Sequence, residues 1–167
     1  MKKILLIVSL VVFGVNPLFS QTKLAHVNSQ KLLDTLPSRK AAIIKLQEFE
    51  TNGVKELKEM EADFNEAYAK YENGKADMSP VIIKIEEEKL MKKQQALQER
   101  EQSLNSEMQA YSQELNTPIL GMVQKAVKIV AERLKIDYVI DESVTLYFEA
   151  GTDITKDVIN ELLKMDK

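Results

Sequence analysis

Apolar residues recur every seven positions along the middle of the chain, at Ile83, Leu90, Leu97, Leu104 and Tyr111. That spacing places them on one stripe of a coiled-coil helix. The companion positions are polar at first, at Glu87, Gln94 and Glu101, and apolar only at Met108 and Leu115. An earlier segment carries a matching but patchier stripe of Ile43, Leu57, Phe64 and Tyr71, broken by Glu50. Leu46, Met60 and Ala67 supply its second row, with a gap at Gly53. Asn73-Gly74 is a turn signal that ends the first helix. Ser79-Pro80 restarts the chain, with Ser as cap and Pro at the first helical position. No further Gly or Pro occurs until Pro118. The pattern predicts two helices of ~35 residues, each ~50 Å long, folded back as an antiparallel hairpin over 38–117 with its turn near 73–79. The interrupted seam predicts a flexible arm.

The flanking segments follow other periods. Lys23 to Val27 alternates like a strand, with Leu24 and His26 set against Ala25 and Val27. Asn28 or Ser29 then caps a helix through Leu32, Leu33 and Leu36, interrupted at Pro37. After Pro118, Ile119, Met122, Val123, Ala126, Val127, Val130 and Leu134 form a broad apolar helix face. Tyr138-Val139-Ile140 and Val144 to Phe148 are β-rich runs separated by Asp141-Glu142-Ser143, which predicts a strand, a tight turn and a second strand. Thr152 or Asp153 caps a final helix with Ile154, Val158, Ile159, Leu162 and Leu163 along one side.

The expected fold is therefore α+β and mostly α. A small β body comes from 21–37 and 118–167, and the hairpin is inserted between the first strand and the C-terminal strands. Leu24, Tyr138, Val139, Ile140, Leu146 and Phe148 are the expected core of the body and of its assembly. A body of roughly 65 residues is marginal for one core, and three strands leave open edges. Association of copies that closes those edges is the economical solution.

The first twenty residues change the picture of where this happens. Met1-Lys2-Lys3 is basic, Ile4 to Val15 is apolar, Pro17 breaks the run and Ser20 offers a small residue before Gln21. This is the layout of a cleavable secretory signal, and its apolar core is shorter than a bilayer span. The exported chain is expected to be soluble, extracytoplasmic and without stable membrane insertion. Its charge falls from −3 to −5 once Lys2 and Lys3 are removed.

Candidate chemistry is sparse. With no Cys there is no disulfide, thiolate zinc site or cysteine nucleophile. His26 is the lone histidine, and without a second His or a Cys it is a poor candidate for a metal ligand. Glu86-Glu87-Glu88 points in several directions at a helix start, where carboxylates are favoured anyway. Asp137 and Asp141 flank a strand without further polar partners. The remaining Gly residues are isolated, which excludes a phosphate loop. Lys92-Lys93 and Arg39-Lys40 lie among acids, so no nucleic-acid partner is expected. The expectation is a protein without catalytic residues, cofactor or metal.

Two segments carry a family resemblance. KLAHVNSQKLLDTLPSRKAA supplies an opening strand and helix start, and TPILGMVQKAVKIVAERLKIDYVIDESVTLYFEAGTDITKDVINELLK supplies a body helix, a "DYVID" strand and a "DIT-x-x-V" closing helix. Together they resemble the OmpH-like, or Skp, family of periplasmic chaperones. The resemblance implies a homotrimer whose helical tentacles enclose unfolded outer-membrane proteins without ATP. One departure matters: residues 38–117 hold 12 basic and 16 acidic groups, so a basic cavity is not carried over. Adaptable or aromatic side chains on the arm, Phe64, Tyr68, Tyr71, Met78 and Met91, are the expected client contacts. The competing reading is a structural or adaptor hairpin of the envelope that docks one fixed partner, and it would need a continuous apolar stripe.

Overall fold

The computed structural model describes residues 22–147 and 151–166. The expected signal segment and Phe148 lie outside them. Strand β1 (Leu24–Val27) leads into helix α1 (Ser29–Thr35), and the Asn28 side chain accepts a hydrogen bond from the Lys31 amide at 2.9 Å. Pro37 occupies the first turn of α2 (Pro37–Gly74), where its missing N–H costs nothing. A 3-10 turn, Lys75–Asp77, precedes α3 (Pro80–Leu134), whose Ser79 cap accepts from the Ile82 amide.

Helix α3 does not pause at Pro118 but runs through it for 55 residues. A proline inside a helix costs about 3 kcal/mol. Here the apolar residues on both sides of it, Leu115, Ile119, Met122 and Val123, pack on one core, and that burial holds the helix together across the break. The helix ends at Lys135, which takes a left-handed conformation (φ 55°) and donates its amide to Ala131 and Glu132. The turn sends the chain into β2 (Tyr138–Asp141).

The sheet differs from the expected strand, turn and strand. Val144 belongs to a second 3-10 turn, Glu142–Val144, and residues 145–147 are not strand. The Asp141 carboxylate accepts from the Ser143 amide while the Thr145 hydroxyl donates to the Asp141 carbonyl, so local bonds close a turn where β-propensity predicts extension. The third strand is instead β3 (Thr152–Asp153), and the order is β2-β1-β3 with both pairings parallel. Helix α4 (Thr155–Met165) follows, and its first free amide, at Thr155, is satisfied by the Asp153 carboxylate at 2.8 Å.

Chain ends and helix roots share one core. Ala25 and Val27 from β1, Leu32 and Leu36, Ala42 at the base of α2, Ile119, Ala126 and Val130 from α3, and Ile154, Val158 and Leu162 are all buried together. Of the five described residues expected in the body core, Val139 alone packs against this cluster. Leu24, Tyr138 and Ile140 alternate onto the opposite, open face of the sheet, and Leu146 is fully exposed in the turn region. A strand shows every second side chain to each face, so a core face of Ala25, Val27 and Val139 necessarily turns the others outward.

Beyond the core, α2 and α3 touch at points that climb one helix as they descend the other: Arg39 with Asn116, Phe49 with Tyr111, Glu56 with Arg100, Asp63 with Lys93 and Tyr71 with Glu87. The seam of α2 is Ala42, Leu46, Phe49, Gly53, Leu57, Met60, Phe64, Ala67 and Tyr71, each buried or half-buried. Its steps alternate four and three except at Gly53, where two fours follow one another. Helix α3 does the same at Leu104, between Arg100 and Met108. A step of this kind shifts the stripe by one residue, which is why Phe49 faces α3 while Ile43 and Glu50 face solvent. Gly53 is no gap. A Cβ there would lie 2.3 Å from Leu104 Cδ1, so the glycine is the socket that lets the helices close on Leu104.

Candidate functional site

Of the five arm residues expected to meet a client, two are exposed and two are half-buried. Met91 is 63% exposed and Tyr68 about half exposed, while Phe64 and Met78 are half-buried. Phe64 and Tyr68, one turn apart, stack with ring centroids 6.2 Å apart. Tyr71 must be removed from that set. It is 5% exposed, its hydroxyl donates to Glu87 at 2.6 Å, and Lys75 lies over its ring at 4.9 Å. Tyr71 therefore fastens the tip of the helix pair and is not free to engage another chain. Hydrogen bonding to the Glu87 carboxylate also raises the Tyr71 pKa, against the opposing effect of Lys75.

Sequence reasoning missed further apolar surface on the same two helices. Val81, Ile82 and Ile85 are exposed in the first turns of α3, and Ile43, Ile44 and Val54 are exposed on α2. Pattern analysis placed Ile43 in the seam and left Val81, Ile82 and Ile85 unassigned. Departure from the heptad register was the available signal for the latter. These side chains form separate small groups, interleaved with charged pairs such as Lys70–Glu66 and Lys89–Glu86.

A second concentration of exposed apolar surface is the open face of the sheet, where Leu24 and Ile140 are joined by Tyr138 at 63% exposure. Polar groups collect at one end of that face. His26 Nδ1 lies 2.8 Å from Glu142 Oε1, Asn28 donates to Glu142 Oε2 at 2.7 Å, and Asp153 stands beside them. The lone histidine of the sequence thus has carboxylate neighbours, delivered by a turn and a strand distant along the chain.

Two aspartates brace this end. Hydrogen bonds from the Thr155 side chain and amide hold the Asp153 carboxyl below its ordinary value of 3.8. Burial acts to raise Asp141, but hydrogen bonds from Ser29 and Ser143 bring it below the same value. A carboxyl with a lowered folded-state pKa gives stability that is complete above its unfolded pKa and is lost as pH falls through the folded one. The body is therefore expected to lose thermal stability progressively below about pH 4. An Asp141→Asn, Asp153→Asn double variant should flatten that part of the Tm profile, and an unchanged slope would count against these two groups.

Comparison with known proteins fits this architecture. A family model described as outer membrane protein (OmpH-like) matches residues 23–162, which take in the body and both long helices. The chain belongs to the OmpH-like family. The chaperone protein Skp of Photorhabdus laumondii subsp. laumondii is 28% identical over 167 residues, covering 97% of this chain and 99% of that one. The chaperone protein Skp of Yersinia enterocolitica is 26% identical over 140 residues, covering 84% and 85%. The solved structure of an OmpH-like protein from Caulobacter crescentus CB15 has a TM-score of 0.75 at 16% identity, over 85% of this chain and 84% of that one. At that identity the likeness is one of fold. Among the described residues of this OmpH-like chain, no helix is long and apolar enough to cross a membrane.

Proposed function

We propose that this OmpH-like chain is a periplasmic chaperone that holds unfolded outer-membrane proteins, without nucleotide, between the arms of a homotrimer. Each arm is the antiparallel hairpin of α2 and α3, and the body joins the copies through the open sheet face of Leu24, Tyr138 and Ile140. The observation that carries this reading is the arm surface. Its apolar side chains stand in small separate groups among charges, Tyr68, Val81, Ile82, Ile85 and Met91 among them. A fixed docking partner calls for one continuous apolar stripe, whereas a mobile unfolded chain is held by many weak, scattered contacts. Arms tethered to one body raise the effective concentration of those contacts, so weak ones sum to useful avidity. Two relatives that bear the name chaperone protein Skp support the assignment.

Client capture is expected to depend on these apolar groups more than on arm charge, because the arm's net −4 offers no general attraction to acidic unfolded barrels. Each partly covered side chain contributes ~1 kcal/mol or less, and the sum runs over all arms. The measurement is soluble complex formation with several urea-unfolded barrel proteins, at low and high salt. A Phe64→Ser, Tyr68→Ser, Met91→Ser variant should bind much more weakly than any single change, with salt having a minor effect. Steep loss with salt beside an unaffected triple variant would replace this mechanism with an electrostatic one. Binding of a single folded protein and of no unfolded barrel would favour the adaptor reading.

A further inference from the structure

We propose that the His26 end of the sheet is a binding site for a divalent cation of the zinc type, ligated by His26, Glu142 and Asp153. The inference stands on the geometry of the body and is independent of the client-binding proposal. Sheet register and the turn after β2 bring the three donors together. His26 lies on the central strand, with Asp153 as its partner on β3 and Ile140 as its partner on β2. Partners in a parallel ladder share a face. Glu142 opens the 3-10 turn that follows β2, and its side chain reaches His26 at 2.8 Å, beside Asp153. One ligand atom from each of the three lies within 4.8 Å of the others.

The donor set selects the ion. One imidazole and two carboxylates, with no thiolate, suit Zn²⁺ or a neighbouring transition ion, whereas Mg²⁺ and Ca²⁺ prefer an all-oxygen shell. Donors around a tetrahedral zinc ion with bonds of about 2.0–2.2 Å sit a little over 3 Å apart. His26 Nδ1 and Glu142 Oε1, now 2.8 Å apart, need to open slightly, and Asp153 needs to close by side-chain rotation. The cation takes the place of the hydrogen bond between His26 and Glu142.

The surroundings already orient the ligands. Asn28 holds Glu142 Oε2 and the Thr155 amide holds Asp153 Oδ1, which leaves Glu142 Oε1 and Asp153 Oδ2 for an ion. Outer hydrogen bonds of this kind fix ligand orientation in metal sites. The His26 and Glu142 side chains are mostly covered, at 15% and 25% exposure, while Asp153 is open and leaves an approach for the ion and a water as fourth ligand. Gly151 completes the cradle. A Cβ at that position would come 3.2 Å from His26 Cδ2, tight enough to press on the ring.

The test is zinc titration of chelator-treated protein against a chromogenic zinc indicator, with thermal unfolding read in parallel. Wild type should bind one zinc ion per chain at micromolar or lower concentration, and its Tm should rise with zinc because the ion binds the folded state. His26→Gln and Asp153→Asn should each weaken binding about tenfold or more and abolish the Tm rise. Asp153 is exposed and Asn can still accept from Thr155, so this variant keeps the test valid if His26→Gln folds poorly. Absence of zinc binding would overturn the proposal. So would binding that both variants leave intact, which would mark scattered surface carboxylates.

Discussion

Leu162→Ala is expected to destabilise the body by about 2–5 kcal/mol, and Leu162→Asp to abolish its folding, whereas Ile140→Asp should leave the chain folded. Leu162 is 1% exposed and sits in the cluster where β1, α1, α3 and α4 meet. The described residues of the body share this one core cluster, so a cavity there is felt by every element. An unpaired carboxylate at the same position would be buried without a partner. Ile140 is 36% exposed on the open face, where Asp meets solvent in a single chain. If copies associate through that face, Ile140→Asp should separate folding from assembly: secondary structure and β1 amide protection are retained while the sedimenting mass falls. The Leu162 variants should lose both together. Hydrogen exchange on β1 and sedimentation measure the two properties, and β1 protection in Leu162→Asp equal to wild type would refute the assignment of the core.

How legible these elements were depended on whether their determinants are local. Asn28, Ser79-Pro80 and the apolar side of α4 lie within a turn of what they specify, so cap, restart and final helix follow from the sequence. The Tyr138-Val139-Ile140 strand was legible for the same reason. Its facing was not, because which alternate set is buried depends on the helices behind it. Pro118 is a local breaker overruled by a distant core, and Lys135 ends α3 in a conformation usually taken by Gly. Strand β3 is two residues long, held by register with β1 and not by propensity. Gly53 looks like a weakness in one helix and becomes a socket only when Leu104 arrives from the other. At the candidate sites, the exposure of Tyr68 and Met91 follows from their places off the stripe, whereas Phe64 lies on it and is half-buried. Tyr71 lies on the stripe itself and is consumed by packing. The neighbours of His26 are more than a hundred residues away in sequence, and no spacing rule reaches them.

Removing the arm is expected to succeed or fail according to where the cut is made. The change in hydrophobic pattern suggests excising 38–117, but the roots of both long helices belong to the body. Ala42 is buried in the core cluster and Leu115 packs against it. The Ser38 amide donates to Asp166 at 3.0 Å, and Arg39 is bonded to Asn116 across the base. Excision of 38–117 deletes all of these, a loss on the order of one large core truncation, about 2–5 kcal/mol, from a body with little to spare. A shorter deletion of 50–108, closed by a brief glycine-rich loop, keeps Ala42, Leu46, Leu115 and the Phe49–Tyr111 contact, whose ring centroids are 5.2 Å apart. The shorter variant should unfold cooperatively and protect its β1 amides, while the longer one should be largely unfolded at the same temperature. Neither should retain unfolded barrel proteins in solution, because Phe64, Tyr68, Met78 and Met91 are absent from both. Equal stability of the two variants would mean that the helix roots add nothing to the core. Client capture by the folded 50–108 deletion would move the binding surface from the arms to the body.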